Sequence, residues 1–565
     1  MALPKPLLPP YDLREWRKES PSRRLQMVCQ AWATQGYGTP AAIYLVYLLK
    51  LAAYAAGWCF FCSFTPGLGG AASLASWWSA PEAFQKAILW SMAFEGLGLG
   101  CGSGPLTGRY YPPFGGALHF CRPGTTKVPL WPGLPILGGD RRTVLDVALY
   151  LAHYAFLGRA LMAPAVTPEL VAPTLVLLPL LGLADKTVFL AARADHFGVA
   201  LACLLFPRDW IAGEKVLWAA VWLWAATSKL NRHFPSVVAV MQSNSPLTAP
   251  FPALRHRFFR SFPDDLRPSR LAHALAHGGT VVELVFPVAL LLGDGGPVTR
   301  AALAVMLLFH LFITSSIPMG VPIEWNVVMV YGGLFLFGAH AEVRVTGLAS
   351  PLLAALLFIL CFLVQVLGNL FPARVSFLCS MRYYAGNWAY SVWLFRGDCA
   401  AKLDAHLVKA APRVQAQLGL FYDEDTTTAL LSKVMAFRAM HLQGRALQLL
   451  LPRAVDDLDA YEYQDGEVVA GVVLGYNFGE GHLHDLQLLR AVQGQCGFAE
   501  GELRCVFVEA QPMGRPALSW TIADAASGVR ERGEVLVTEL EKLQPWATGA
   551  PGTRAPRRHA REEAS

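Results

Sequence analysis

Long apolar segments separated by short polar loops fill the first two thirds of the chain. Since a helix needs about 20 apolar residues to cross the hydrocarbon core of a bilayer, this pattern predicts about ten transmembrane helices. They cover residues 43–64, 84–101, 144–163, 171–184, 188–206, 215–230, 271–292, 298–317, 324–338 and 352–370. The fourth and ninth are short. The fifth contains the polar sequence ARADH, which indicates a broken or partly interfacial helix.

The pattern changes after residue 371, and the aromatic sequence MRYYAGNWAYSVWLFRGDCAAKL predicts an interfacial linker over 372–403. Over 404–546, the sequences GEVVAGVVLGYNFG, LRCVFVEA and ALSWTIAD predict strands, and HDLQLLRAVQGQCG predicts a helix that stops at glycine. Residues 547–565 have the composition of a disordered tail. The predicted fold class is therefore an all-α polytopic membrane bundle, residues 43–371, with a small C-terminal α+β soluble domain.

The composition supports a membrane protein. Hydrophobic residues make up 54% of the chain and charged residues 16%, and the mean hydropathy is +0.37, a balance typical of polytopic membrane proteins. No run of Lys and Arg resembles a nucleic-acid-binding segment, so we expect no nucleic-acid partner. Prolines and charges occupy residues 1–42, where a signal peptide would be apolar, so the first span is expected to direct insertion.

Positive charges alternate between loops. Lys and Arg are concentrated before the first span, in 102–143 and in 231–270, whereas 65–83 and 164–170 contain none. Because cytoplasmic loops carry an excess of Lys and Arg, this alternation predicts that both termini are cytoplasmic. The basic loops are also expected to contact the headgroups of membrane lipids.

Ionisable residues at membrane depth are the candidate site residues, because they are costly there unless paired or hydrated. Each has a purely structural interpretation: Lys229 at a span end could extend to the headgroups, and Glu324 after Pro322 fits a first-turn carboxylate that complements the helix dipole. Together with His196 and His310 they predict a shared polar cavity. The sequence HALAH has the HxxxH spacing of di-iron enzymes but lacks their further histidine boxes, so no metal site is expected.

Several strings, among them FCRPGTTKVP, SKLNRHFPSVVAVMQSNSP and HLFITSSIPMGVPIEWNVVMVYG, resemble those of an uncharacterised family of bacterial multi-pass membrane proteins. The resemblance covers most of the chain and implies a bacterial inner-membrane location. It implies no activity.

A second resemblance carries chemistry. The order ADKT…DHFGVALACL, WLWAATSKLNRHF and LLFHLFITSSIPMGV is similar to the transmembrane domain of vitamin K-dependent γ-glutamyl carboxylase and its bacterial relatives. The resemblance implies that Lys229 is the catalytic base and that His310 and His196 correspond to, or lie near, histidines of that family. It also implies a reduced quinone as cofactor.

Two hypotheses follow. In the first, the protein is an enzyme that acts on a lipid-soluble substrate or quinone, with Lys229 as base and His196, His310 and Glu324 positioning groups or relaying protons. In the second, it is a non-enzymatic lipid-binding, transport or envelope-assembly partner protein. There the basic loops hold anionic headgroups and the soluble domain recruits a protein. The sequence leaves the substrate and the oligomeric state open.

Overall fold

The structure is a computed structural model that describes residues 6–100, 115–315, 323–375 and 385–547. The sequence MRYY of the predicted linker and the predicted tail beyond residue 547 lie outside these residues.

Helices dominate the first two thirds of the chain. They are α1 Leu13–Lys18, α2 Pro21–Gln35, α3 Ala41–Cys62, α4 Leu74–Trp77, α5 Pro81–Gly96, α6 Gly115–Phe120, α7 Val144–Met162, α8 Pro168–Ala184, α9 Lys186–Ala191, α10 Ala194–Leu204, α11 Trp210–Ser228, α12 Phe234–Asn244, α13 Pro252–His256, α14 Arg270–Leu292, α15 Pro297–Ser315, α16 Ile323–Gly333, α17 Pro351–Phe358 and α18 Val364–Leu370. A π-helical turn, Leu334–Ala339, continues α16, and another, Ile359–Leu363, joins α17 to α18. A short hairpin, β1 Phe259–Ser261 and β2 Asp265–Pro268, precedes α14.

Five helices in the described part of the chain are long and apolar enough to cross a membrane. They are Ile43–Cys62, Val144–Met162, Arg270–Leu292, Pro297–Ser315 and Pro351–Leu370. Three further apolar helices are shorter: Pro168–Ala184, Ala194–Leu204 and Ile323–Ala339. The prediction of several membrane helices is confirmed, but the count of ten is not.

The predicted fifth span is broken, as its ARADH sequence indicated. Helix α9 ends at Ala191 and α10 begins at Ala194. Arg193 between them has a φ of 51°, in the left-handed region that few non-glycine residues adopt. The chain therefore changes direction within this segment.

The centre of the bundle is an aromatic core. Phe84 of α5 stacks on Phe335 with ring centroids 4.4 Å apart, and Trp218 of α11 contacts Phe84 at 5.4 Å. All three side chains are buried. Stacked and tilted aromatic pairs of this kind fix the relative positions of the helices that carry them.

The C-terminal region contains a five-stranded antiparallel sheet flanked by helices. Its strands are β3 Tyr390–Arg396, β4 Tyr461–Asp465, β5 Leu503–Val508, β6 Ala517–Asp524 and β7 Gly528–Leu536, in the order β4-β3-β5-β6-β7. Its helices are α19 Ala401–His406, α20 Val414–Gly419, α21 Glu424–Ala439, α22 Leu442–Ala454, α23 Gly466–Leu474, α24 Leu486–Cys496 and α25 Val537–Leu540. The sequences LRCVFVEA and ALSWTIAD form β5 and β6, as predicted. The predicted helix α24 ends at Gly497, which is left-handed.

Two sequence predictions in this region were wrong. GEVVAGVVLGYNFG begins with helix α23 rather than a strand, because Asp465 caps its first turn and left-handed Gly475 ends it. The predicted interfacial linker over 372–403 contains β3, which lies between β4 and β5. Six of the seven β3 residues are buried, so its aromatic and apolar side chains fill the domain core instead of contacting headgroups.

The N-terminal segment and the basic loops pack against this C-terminal region. Trp32 of α2 lies 5.4 Å from Phe437 of α21 and donates a hydrogen bond to the Val240 carbonyl of α12. Arg142 donates a hydrogen bond to the Leu474 carbonyl of α23, and Arg232 pairs with Glu541 of the C-terminal region. These segments therefore lie at one end of the bundle, which we call the domain-facing end.

Candidate functional site

Lys229 directs its amine into the bundle. It is the C-cap residue of α11, and it is 7% exposed. Its Nζ pairs with Oε2 of Glu283 on α14, and the rings of Phe234 and Phe309 lie 5.6 and 5.7 Å from it. The interpretation of Lys229 as a headgroup anchor is therefore not supported by the direction of its side chain.

Glu283 faces the bundle because α14 has one buried stripe. Thr280 and Glu283 are buried, whereas His277 is exposed. Of the two histidines of HALAH, His273 is half-buried and His277 is exposed, so neither belongs to the buried stripe that contains Glu283.

His310 on α15 is buried and bonded at both ring nitrogens. The indole of Trp222 on α11 donates to its Nε2 over 3.0 Å. An indole N–H is only a donor, so Nε2 must be an unprotonated acceptor. In the neutral ring, Nδ1 then carries the proton and donates it to Oδ1 of Asn326 over 2.8 Å. This arrangement holds His310 as a neutral imidazole of one tautomer.

His196 in the first turn of α10 is held by a second indole. Trp325 of α16 donates to Nδ1 of His196 over 3.1 Å, so the proton of the neutral ring is on Nε2. That Nε2 is buried and has no hydrogen-bond partner among the described residues. A buried donor without an acceptor is costly in a folded protein, and a polar group of a ligand would satisfy it.

Glu324 in the first turn of α16 lies beside a second carboxylate. Its Oε2 is 3.2 Å from Nζ of Lys50 on α3, and Lys50 also donates to the Gly100 carbonyl over 2.9 Å. A Cβ placed on Gly100 would collide with the carboxylate of Glu95 and come within 2.8 Å of Oε1 of Glu324. The two acids therefore approach each other around Gly100, with Arg193 Nε 3.9 Å from Glu95.

The first turn of α16 connects three of the four residues singled out from the sequence. Glu324 itself, Trp325 bonded to His196, and Asn326 bonded to His310 are consecutive. Lys229 joins the group through α15, since its amine lies near Phe309, the neighbour of His310. We call these four residues with Glu283, Lys50, Trp325 and Asn326 the α16 cluster.

Sequence reasoning missed three contributors. Lys50 stands inside an otherwise apolar run, and that charge was the signal that could have identified it. Trp222 and Trp325 carried no such signal, because their partners are 88 and 129 residues away in the chain.

A further buried acid lies elsewhere in the bundle. Both carboxylate oxygens of Glu214 on α11 are buried without a hydrogen-bond partner. Its neighbour Gly213 packs against Cys203 of α10. No described contact connects Glu214 with the α16 cluster.

Comparison with known proteins gives one match. The family model described as "Transmembrane protein of unknown function (DUF3556)" matches residues 1–557. No curated protein and no solved structure matches the chain. The match carries no activity and no source organism, and none of the comparisons supports the resemblance to γ-glutamyl carboxylase.

Proposed function

The chain belongs to this DUF3556 family of transmembrane proteins, and we propose that it is an intramembrane enzyme that transfers protons to or from a lipid-soluble substrate at the α16 cluster. The observation that carries the proposal is the first turn of α16. Its three consecutive residues are Glu324 itself, Trp325, which bonds to His196, and Asn326, which bonds to His310. A bundle that needed only packing would not gather so many costly groups at one place.

Lys229 is the proposed base, and its pairing with Glu283 explains how an amine could act in that role. Water stabilises separated charges, and a buried pair loses much of that stabilisation. In the proposed step the Lys229 amine accepts a proton from the substrate, and the Glu283 carboxylate pairs with the ammonium that forms.

The histidines and Glu324 have supporting roles. His196 offers its buried Nε2–H, which has no partner, to an oxygen of the substrate. His310 is held neutral between Trp222 and Asn326. Its fixed ring therefore forms part of the wall of the site beside Lys229. Glu324, next to Glu95 and Lys50, is a relay for protons towards the domain-facing end.

Two of these residues suit a reduced quinone. His196 would hold a ring oxygen through its buried Nε2–H, and Lys229 would be the base for a hydroxyl proton. When bound, such a quinone would supply a group that reacts with oxygen once deprotonated. The assignment of a quinone rests on the sequence resemblance to the carboxylase family.

Substitutions at Lys229 test the enzyme proposal. Arginine keeps the charge but cannot provide a neutral amine. Lipid extracts of host cells that carry Lys229→Arg or Lys229→Ala should therefore both match those of a deletion strain by mass spectrometry. Lys402→Arg is the control, since Lys402 pairs with Glu502 in the C-terminal region, and it should match the wild type. The proposal would be contradicted if the lipid extract of Lys229→Arg cells matched that of the wild type. It would also be contradicted if the deletion strain had the same lipid extract as the wild type.

The second candidate function is non-enzymatic lipid binding, transport or envelope assembly with a partner protein. The observation that favours it is the gathering of the basic segments around the C-terminal region at the domain-facing end. In that case Lys229→Arg should retain function and Lys229→Ala should lose it.

We further propose that the protein lies in a bacterial inner membrane with the domain-facing end in the cytoplasm. The placement of the basic segments at one end supports this, because such segments stay in the cytoplasm. Reporter fusions test it: an alkaline phosphatase fused after the C-terminus should be inactive, and a green fluorescent protein there should fluoresce. An active phosphatase would reverse the orientation.

A further inference from the structure

A pocket of about 430 Å³ lies at the domain-facing end, between the bundle and the C-terminal region. The start of α12, the β1–β2 hairpin, the first turn of α14 and helices α22 and α25 surround it. Its lining includes Arg232, Arg260, Arg267, Arg445, Lys542 and Glu541. Five Lys or Arg side chains face one carboxylate there, so the pocket is strongly basic.

Three of the five cations already have carboxylate partners. Arg232 pairs with Glu541, Arg267 with Asp265, and Lys542 with Glu539. The other two, Arg260 and Arg445, have no carboxylate within ion-pair distance in the described part of the chain. The pocket therefore retains two positive charges that the protein does not neutralise by direct contact.

Arg445 is the more informative of the two because it is buried. It is 1% exposed, and burial lowers the pKa of its guanidinium to about 10. Its terminal nitrogens donate to the carbonyls of Met440, Leu540 and Leu543, and its Nε has no partner in the part of the chain that the structure describes. Asp265 and Glu541 act on it only from beyond ion-pair distance, so the buried guanidinium lacks a directly paired counterion to offset its desolvation.

The pocket borders the start of α14. His273 in the first turn of α14 lines the pocket. His277 and Val281, one and two turns further along the same side of α14, are exposed, and the exposed apolar face continues at Val285 and Val288. A basic site next to the outer apolar surface of a membrane helix lies at the depth of lipid headgroups.

We propose that this pocket binds the phosphate group of an anionic lipid, with Arg445 and Arg260 as the groups that neutralise it and the acyl chains along the outer face of α14. A phosphate monoester carries about −1.5 to −2 charges at neutral pH, which matches the two unpaired guanidinium groups. Guanidinium is also the side chain best suited to bidentate contact with phosphate oxygens.

The proposal is independent of the enzymatic function proposed above. None of the lining residues belongs to the α16 cluster. Lys229→Ala should therefore leave phosphate binding unchanged, and loss of the pocket would leave the question of catalysis open.

Binding of short-chain lipids to the purified full-length protein in neutral detergent tests the proposal. Dihexanoyl phosphatidic acid, dihexanoyl phosphatidylcholine and inorganic phosphate are titrated separately by isothermal calorimetry. We expect phosphatidic acid to bind most tightly, because its headgroup is anionic and its chains can contact α14. Arg260→Gln should weaken that binding about ten- to hundredfold, the range for the loss of a hydrogen bond between charged groups.

Arg257→Gln is the matched control, since Arg257 is an exposed arginine three residues from Arg260 and does not line the pocket. It should change the affinity less than about twofold, within the ordinary effect of a surface substitution. Arg445→Gln should weaken binding at least as much as Arg260→Gln, and the exposed Arg260 keeps the test valid if the Arg445 variant does not fold.

Equal binding by the wild type, Arg260→Gln and Arg257→Gln would overturn the site. Equal affinity for inorganic phosphate and phosphatidic acid would overturn the lipid assignment and indicate a soluble phosphate ester.

Discussion

The indole nitrogen of Trp325 lies 3.1 Å from Nδ1 of His196 and donates a hydrogen bond to it. This contact joins α10, which follows the break in the predicted fifth span, to the first turn of α16. Because it fixes which nitrogen of His196 carries the proton, it also determines that Nε2 of His196, which has no partner among the described residues, is a donor. The chemistry available at this site therefore depends on a tryptophan as well as on ionisable residues.

Trp325→Phe should destabilise the protein. The substitution leaves Nδ1 of His196 buried without a donor, which costs about 1–3 kcal/mol. Trp520→Phe is a matched control, because Trp520 is also buried but its indole nitrogen has no hydrogen-bond partner. Thermal unfolding in detergent should show a lower midpoint for Trp325→Phe than for Trp520→Phe. Equal midpoints would mean that the indole–imidazole bond contributes nothing beyond ring packing.

Gly100→Ala should disrupt the paired acids. A Cβ at Gly100 would collide with Glu95 and crowd Glu324, and overpacking of this kind costs about 1–3 kcal/mol. In Gly158→Ala, by contrast, the new Cβ meets no atom within 4 Å, and alanine favours the helix α7 by about 0.5–1 kcal/mol. The two midpoints should therefore move in opposite directions. A neutral Gly100→Ala variant would show that the acids are free to separate.

The sequence predicted helices correctly where the length and composition of an apolar run decide the structure. Long apolar runs became α3, α7, α14 and α15, because membrane length and composition decide such segments. It failed at Gly466–Leu474, where the valine-rich run favours a strand but Asp465 and Gly475 supply the two caps of a helix. Cap residues were visible in the sequence and outweigh β propensity in so short a run.

The candidate site was predictable in its residues but not in its contacts. Lys229, His196, His310 and Glu324 stood out because charge inside an apolar segment is costly. Their arrangement depends on Trp222, Trp325 and Lys50, whose positions relative to the histidines and Glu324 follow only from helix packing. The tautomer of each histidine is likewise a property of the folded bundle.

Stability should depend on pH through His482 in the C-terminal region. Its ring contacts Glu480 over 2.8 Å and Glu509 over 3.0 Å. Burial opposes the charge on His482, but the two carboxylates outweigh it and raise its pKa well above the usual value. Because the folded pKa exceeds the unfolded value of about 6.5, the contact stabilises fully below that pH, and its contribution is lost as pH rises through the folded pKa.

The midpoint difference between the wild type and His482→Gln should therefore be larger at pH 6 than at pH 9. Each unit between the two pKa values corresponds to about 1.4 kcal/mol. His406→Gln serves as the control, since His406 is exposed, and its difference should stay small throughout. A His482→Gln difference that does not change with pH would mean that the ring is not charged in the folded protein.

The Lys229–Glu283 pair allows the sharpest test of how the α16 cluster is built. Removal of one partner leaves the other as an uncompensated buried charge, and such single substitutions cost about 3–5 kcal/mol. Lys229→Met and Glu283→Leu should each lower the free energy of unfolding, measured by denaturant titration in detergent. The double variant Lys229→Met/Glu283→Leu should recover most of the loss, because apolar replacement of a buried pair is often neutral or stabilising.

This cycle also separates stability from function. The double variant is expected to fold but to lack any activity that needs the Lys229 amine, so its host cells should show the same lipid extracts as the Lys229→Ala cells. Lys18→Met provides the control for an exposed pair, because Lys18 and Glu15 have side chains 70% and 69% exposed, and its unfolding free energy should change by less than about 0.5 kcal/mol. Additive losses in the Lys229 and Glu283 variants would show that the two residues do not interact in the folded protein, and would remove the physical basis for a base at this position.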